Sequence, residues 1–210
     1  MQARNRQPDR FTRNREKSVF VWVAIIAILL VRPLAAQPAS GPSFVLELDP
    51  AKSGAEIALT GNMHTVDGSF RATRGTVNFN SATGKADGEI VFDASSGKTG
   101  NDSRDKKMHK DVLESARFPE ISFLPDHANG ALAPAGDSTL QVHGQFVIHG
   151  TQHEVIFPVQ VHLEGEAWTA NSTFTVPYAN WGMKNPSVFF LRVAGDVKVQ
   201  FHAAGRLQNR

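Results

Sequence analysis

The sequence predicts an all-β protein, an antiparallel barrel or sandwich of about eight strands with one short helix near residues 102–116. Two observations lead to this fold class. From residue 44 onward apolar and polar residues alternate with a period of two, which is typical of strands that bury one face. Turn-forming residues separate these runs at short spacing. The shortage of helices excludes parallel α/β architectures, which alternate helices with strands.

Four alternating runs precede the helix. They occupy residues 44–48, 56–60, 76–79 and 89–93. Residues 80–84, Asn-Ser-Ala-Thr-Gly, have the composition of a turn between the last two runs. Each run therefore predicts a strand with one apolar face.

The helix is predicted from its first turn, its apolar stripe and its end. Asn101 or Asp102 can accept a hydrogen bond from the free N–H groups of the first turn. Apolar residues then recur along one narrow face, at Met108, Val112 and Ala116, with Leu113 beside them. Pro119 disfavours helical geometry at Phe118, so the chain leaves as an extended segment. We expect this helix to lie on an apolar surface.

After the helix the alternation resumes and is clearest around a hairpin predicted at residues 149–153. The predicted strands occupy residues 119–123, 140–148, 154–163, 168–176, 189–193 and 197–201. Pro158 cannot donate to a strand ladder, which predicts an edge or a bulge at that point.

The N-terminus has the composition of a secretory signal. Residues 1–17 carry six Lys/Arg against two acids, residues 19–31 are uninterruptedly apolar, and residues 33–37 supply small side chains for cleavage. We expect cleavage after Ala36, a linker over residues 37–43 and export to the periplasm. An uncleaved membrane anchor is the alternative, because Arg32 follows the run directly; the 13 apolar residues fall short of the about 20 that span a bilayer.

Charge and cysteine content exclude several classes of protein. Without residues 1–36 the chain keeps 15 basic and 18 acidic residues, a formal charge of −3, so nucleic acid is not an expected partner. The chain has no cysteine, which excludes a disulfide framework, a thiolate metal site and a lipid anchor on cysteine.

Two segments carry a resemblance to a known family. The helix region and the hairpin resemble the signatures of the YceI-like family through 99–101, Arg104-Asp105, Met108, Leu113, 118–119, 121–123 and 144–151. With residues 87–90 and 197–199 the similarity extends over residues 44–207, which we assign to one YceI-like domain. The resemblance implies a lipocalin-like antiparallel barrel in the periplasm that holds a long isoprenoid chain, such as a polyprenyl lipid or a quinone tail. The loops 61–66 and 178–187 depart from the pattern expected of relatives.

Inward-facing aromatic residues are the candidates for the lining of a tunnel. A small barrel can be filled by side chains or can hold one slender ligand, so each phenylalanine is either core or lining. The 14 phenylalanines against one tyrosine indicate an apolar interior with few polar groups. The candidate lining residues are Phe79, Phe92, Phe123, Phe146, Phe157 and Phe174, with Met108 and Leu113 of the helix.

Three residues are candidates for the mouth of such a tunnel. Trp181 and Met183 lie in a loop rich in glycine and proline, and Arg104 opens the helix. Arg104 is expected first to form an internal ion pair with Asp105 or a strand, and second to contact a ligand. The helix itself is expected to close or shape the mouth.

Metal binding and catalysis have little support in the sequence. Eight histidines suggest a metal site, but of those around the hairpin only His143 and His162 share a strand face, and no carboxylate or cysteine set completes a site. The motifs of nucleophile elbows, zinc proteases, phosphate loops and dinucleotide folds are absent from the sequence. No cofactor is expected beyond a bound polyisoprenoid or quinone.

Three functions therefore remain open: a lipid- or quinone-binding protein, a periplasmic stress or interaction module with a filled barrel, and an unrecognised enzyme. The first is preferred, and the protein is not expected to be an enzyme. Transient membrane contact and a homodimer are both compatible with the sequence. A closed barrel has no free strand edges, so a dimer would use side-chain surfaces.

Overall fold

The structure, a computed structural model, describes residues 43–209. The predicted signal peptide and residues 37–42 of the predicted linker lie outside the described residues. Ser43, assigned to that linker, already belongs to the first strand, and the last strand ends at Asn209. Within the described range no helix is both long and apolar enough to cross a bilayer.

Nine strands and one short helix make up the described chain. The strands are β1 Ser43–Leu48, β2 Gly54–Thr60, β3 Thr65–Asn80, β4 Ala86–Asp93, β5 Glu120–Asn129, β6 Gly136–Ile148, β7 Thr151–Glu164, β8 Ala167–Val176 and β9 Val197–Asn209. The helix α1 is Asp102–Lys107, and a π-helical turn, Met108–Val112, follows it directly.

The strands close into an antiparallel barrel with eight strand positions. Around the barrel the order is β3, β2, β9, β8, β7, β6, β5 and β4, which pairs again with β3. β1 shares one position with β2: it pairs with the C-terminal part of β3 and of β9, and β2 pairs with the opposite ends of the same two strands. The predicted all-β barrel with one short helix is thereby confirmed.

A short turn separates β1 from β2 within their shared position. Asp49 accepts a hydrogen bond from the N–H of Ala51 (3.0 Å), and the Ser53 hydroxyl donates to the Asp49 carbonyl (2.8 Å). The same hydroxyl accepts from the Ala204 N–H of β9 (3.1 Å). A Cβ at Gly205 would lie 1.9 Å from the Glu47 carbonyl oxygen. Glycine is therefore what allows β1 to approach β9 closely.

The helix begins as predicted and ends differently. Asn101 Oδ1 accepts a hydrogen bond from the Arg104 N–H (3.0 Å). The Leu113 N–H then donates to the Met108 carbonyl (2.9 Å), a five-residue spacing that turns Leu113 inward. Ala116 is exposed, so its predicted place on the apolar stripe is wrong; the chain has already left the helical path at Glu114, where φ is +46°.

Two strand predictions also need correction. Residues 189–193 do not form a strand: Val188 and Leu191 pair across a tight turn that holds Phe189 and Phe190 in solvent. Conversely, β3 starts at Thr65, well before the predicted run at 76–79. Small inward residues at Gly68, Ala72 and Gly75 interrupt the apolar alternation there.

The interior differs between the two ends of the barrel. We call the end that carries the connections 61–64, 94–119, 149–150 and 177–196 the mouth end, and the other the closed end. Side chains fill the closed end, where Leu163, Trp168 and Leu140 are between 2% and 6% exposed. The Trp168 indole N–H donates to the Arg206 carbonyl (3.1 Å), which satisfies its polar atom within this packing.

Candidate functional site: an apolar cavity at the mouth end

The half of the interior next to the mouth end is a cavity of about 580 Å³. Its wall is made mainly of aliphatic and aromatic side chains from the strands, together with the helix region and the loop 183–193. The volume lies in the ~300–1,000 Å³ range of ligand-binding cavities. An apolar interior of this size suits an apolar ligand because it offers few hydrogen-bonding partners.

Five of the predicted aromatic lining residues lie on the cavity wall: Phe92, Phe123, Phe146, Phe157 and Phe174. Four of these rings contact one another around the barrel, and the fifth, Phe92, meets Phe201 edge to face at 5.9 Å. Phe157 stacks on Phe174 (centroids 4.5 Å apart) and lies 5.0 Å from Phe123, while Phe146 meets Phe174 edge to face at 6.0 Å. The wall is therefore a connected aromatic surface, and ligand contact by these residues stays a prediction.

Phe79, also predicted as lining, lies elsewhere. It pairs with Ala86 on β4 and Phe44 on β1, next to the turn 81–85 at the closed end, and is 5% exposed. The 16 residues of β3 carry the chain from one end of the barrel to the other, which the short predicted run could not show. Phe79 belongs to the filled core and not to the cavity wall.

The helix region forms part of the wall at the mouth. Met108, Val112 and Leu113 face the cavity, and Lys107 Nζ donates to the Pro186 carbonyl of the opposite loop (3.2 Å). The expectation that the helix shapes the mouth agrees with this placement.

Arg104 lies at the rim and is held by its own loop. Its Nε donates to Thr99 Oγ1 (2.8 Å), and a terminal nitrogen donates to the Thr99 carbonyl (2.6 Å). Arg104 and Asp105 do not form the expected ion pair and instead share Thr99 as a hydrogen-bond partner. Asp105 Oδ1 accepts from the Thr99 N–H (2.9 Å). Thr99 therefore links the two side chains, and the Thr99 hydroxyl lowers the pKa of Asp105.

Met183 and Trp181, the other two predicted mouth residues, have different surroundings. Met183 is 3% exposed and lies on the cavity wall beside Tyr178, whose hydroxyl donates to the Ala194 carbonyl (2.6 Å). Trp181 lies behind the wall, where its indole stacks on His153 with centroids 4.0 Å apart. Met183 thus lines the cavity, and Trp181 supports the wall from outside it.

The Trp181–His153 stack lies where β7 and β8 diverge. The ladder between these strands joins Val159–Glu164 to Ala167–Ser172, and Pro158 marks its end, as predicted for an edge. His153 shares the inward face of β7 with Phe157, and its Nε2 is buried without a hydrogen-bond partner among the described residues. Burial therefore lowers the pKa of His153.

The other hairpin histidines lie on the outer surface and turn. His143 lies opposite Ile156, and His162 lies opposite Asp137, so these two histidines do not meet across the hairpin. Hydrogen bonds to Asp126 (2.6 Å) and Glu154 (2.8 Å) raise the pKa of His143. In residues 43–209 no group of three or more His, Cys, Asp or Glu side chains is arranged so that it could hold a metal ion.

Sequence reasoning missed several wall residues. Phe70 lies in the unpredicted part of β3, and Ile57, Ile90, Val199 and Phe201 lie in predicted strands but were not counted as lining. The alternation along each strand places these residues on the inward face, and that alternation could have identified them from the sequence. What the sequence lacked was the length of each strand, which decides whether an inward residue reaches the cavity or the filled end.

Comparison with known proteins identifies the fold independently. The family model for the YceI-like domain matches residues 46–204. Curated relatives are UPF0312 proteins of Pseudomonas savastanoi pv. phaseolicola and Pseudomonas syringae pv. syringae, each 27% identical over 129 residues, 58% of this chain. The match covers 65% of these relatives' length, slightly under two thirds.

Two solved structures share the fold at low sequence identity. BcnA of Burkholderia cenocepacia has a TM-score of 0.61 and 22% identity, covering 75% of this chain and 99% of that one. A polyisoprenoid-binding domain from Saccharophagus degradans, implicated in plant cell wall breakdown, has a TM-score of 0.58 and 17% identity, covering 79% and 98%. The family match spans most of the described barrel, and the chain belongs to the YceI-like domain family.

Proposed function

We propose that this protein binds a long, slender apolar chain, of the isoprenoid or quinone-tail type, in the cavity at the mouth end. The cavity carries the proposal: it is apolar, lies inside a closed barrel and is bordered by a connected aromatic surface. Each buried methylene contributes about 0.8 kcal/mol, so a long chain can bind without specific polar contacts. The polyisoprenoid-binding description of the Saccharophagus degradans structure supports the same ligand class.

The cavity also supports this proposal over the alternatives raised by the sequence. A module with a filled barrel would have side chains throughout its interior, as the closed end has. The wall at the mouth end instead offers few polar groups, which favours binding of an apolar chain over catalysis. We accordingly propose a binding protein without enzyme activity, acting in the periplasm after removal of residues 1–36.

Uptake of a polyprenol by two neighbouring variants tests the cavity as the binding site. Phe157→Arg places a charge inside the cavity, whereas Ile156→Arg places the same charge on the outer face of the same strand, where Ile156 is 63% exposed. Burying an unpaired charge against an apolar chain is costly, so we expect Phe157→Arg to abolish uptake and Ile156→Arg to retain it.

Circular dichroism and thermal unfolding of both variants show whether each is folded. Should Phe157→Arg unfold, displacement of a fluorescent apolar probe from the unaltered protein by the same polyprenol gives an independent answer. Normal uptake by folded Phe157→Arg would contradict the assignment of the cavity as the binding site.

A further inference from the structure

The mouth end of the barrel also presents a compact apolar surface to solvent. Phe189 is 90% exposed, Phe190 83% and Met63 74%, and the flanking Val188 and Leu191 are each more than two fifths exposed. We call these five residues the apolar tip. Exposed apolar side chains are ordinary when scattered, but a contiguous group of large ones indicates an interaction surface.

The apolar tip is built by hydrogen bonds between two loops. Val188 and Leu191 exchange backbone hydrogen bonds of 3.0 and 2.8 Å across the Phe189–Phe190 turn. Asn62 of the β2–β3 connection donates from its side-chain amide to the Phe190 carbonyl (2.8 Å) and accepts from the Arg192 N–H (3.1 Å). The rings are thus held outward by a defined turn. Several of its peptide groups are already satisfied internally, which lowers the cost of moving it out of water.

Charge is distributed unevenly between this end and the rest of the barrel. The four connections of the mouth end carry eight Lys/Arg against five Asp/Glu, whereas the remainder of residues 43–209 carries six against thirteen. Lys184 and Arg192 are exposed on the same loop as the two phenylalanines. An anionic surface would therefore attract the mouth end and repel the rest of the barrel.

The apolar tip is continuous with the cavity. Met63, Val188 and Leu191 belong both to the exposed tip and to the cavity wall. An apolar chain could therefore pass between the cavity and a surface covering the tip without crossing water. A bilayer provides what this combination requires: an apolar layer that accepts aromatic rings beneath a layer of charged headgroups.

From these observations we propose that the mouth end docks on an anionic lipid bilayer by inserting the Phe189–Phe190 turn, with the surrounding Lys and Arg side chains on the headgroups. The proposal goes beyond ligand binding in the cavity and does not depend on it, since docking can be measured without any polyprenol.

Vesicle flotation tests the proposal. The protein is purified from expressing cells in its processed form, and its mass is measured first to identify that form. We expect flotation with vesicles of phosphatidylethanolamine and phosphatidylglycerol, and much weaker flotation with phosphatidylcholine alone. The double variant Phe189→Ser/Phe190→Ser should weaken binding about tenfold or more, because two rings no longer leave water. The matched control Ile156→Ser, which removes an exposed apolar side chain of β7 that does not belong to the tip, should float like the unaltered protein.

Insertion itself is measured by tryptophan fluorescence. Phe190→Trp should show a blue shift in emission, relative to the unsubstituted protein, on addition of anionic vesicles, and Ile156→Trp should not. Equal flotation of the double serine variant, or no shift for Phe190→Trp, would overturn the proposal. A concentration-dependent dimer that the double serine variant abolishes, without vesicle binding by the unaltered protein, would likewise overturn it and assign the tip to a second copy of the chain.

Discussion

At the scale of single residues, His153 places a buried polar atom behind the apolar cavity wall. Its imidazole stacks on Trp181 at the point where β7 and β8 diverge, and its Nε2 has no hydrogen-bond partner among the described residues. Protonation would place an unpaired charge there. The neutral form is therefore favoured, which is why the pKa is lowered.

This lowered pKa predicts that stability depends on pH in a definite direction. The unfolded chain binds the proton near pH 6.5 and the folded chain only at lower pH, so the contribution of neutral His153 is complete above about 6.5 and is lost as pH falls below it. We expect His153→Phe to reduce this loss, measured by urea unfolding on either side of pH 6.5. His162→Phe, on the outer surface, is the control. An NMR titration placing the pKa of His153 at or above its ordinary value would contradict this explanation.

At the scale of elements, the helix region depends on a clamp around Thr99. Asp105 is 4% exposed and accepts from both the backbone and the hydroxyl of Thr99, while Arg104 donates to the same residue. The clamp holds α1 against the chain that enters it, and the π-helical turn then directs Met108 and Leu113 into the cavity. The position of the mouth wall thus follows from a few polar contacts at its rim, made by Thr99, Arg104 and Asp105.

Breaking the clamp should loosen the wall. Asp105→Ala leaves the Thr99 N–H without its acceptor, and we expect a loss of about 1–3 kcal/mol in the free energy of unfolding, with faster hydrogen exchange over residues 99–113. Asp102→Ala, an exposed acid in the same helix, should cost about 0.5 kcal/mol or less. Equal effects of the two substitutions would show that the clamp contributes nothing particular.

The helix also shows what sequence reasoning can and cannot recover. Its cap at Asn101 follows from local chemistry and was predictable, as was the extended chain after Pro119, where β5 begins at Glu120. The switch to π-helical spacing at Met108 could not be predicted, because it depends on which residue of the helix region packs against the barrel. The turn at Phe189 was misread as a strand for a related reason: alternation records apolar character but not whether a neighbouring strand is available.

At the scale of the whole molecule, the two ends of the barrel differ in how their interior is filled. The closed end is packed and carries the aromatic and aliphatic core, while the mouth end combines a cavity with basic, apolar-tipped loops. The period-two pattern was sufficient to predict an antiparallel barrel or sandwich, and the resemblance to the YceI-like family implied the barrel. It could not separate Phe79 in the core from Phe157 on the cavity wall, since both face inward and only strand length and register distinguish them.

This division predicts that truncation at the closed end affects stability and not loading. Leu163 is 2% exposed and does not reach the cavity wall, so Leu163→Ala should cost about 2–5 kcal/mol in the free energy of unfolding. Polyprenol uptake by the variant, measured at a temperature where it remains folded, should match that of the unaltered protein. Loss of uptake in the folded variant would mean that the two ends are not independent.

The central claim, that the cavity holds an isoprenoid-type chain, is tested most directly by analysing what the protein contains. The measurement is solvent extraction and mass spectrometry of protein recovered under mild conditions from expressing cells, followed by loading with polyprenols of increasing length. We expect a long-chain isoprenoid in near-stoichiometric amount, or its uptake when it is offered. Recovery of no isoprenoid or quinone, together with no uptake at any length, would contradict the account.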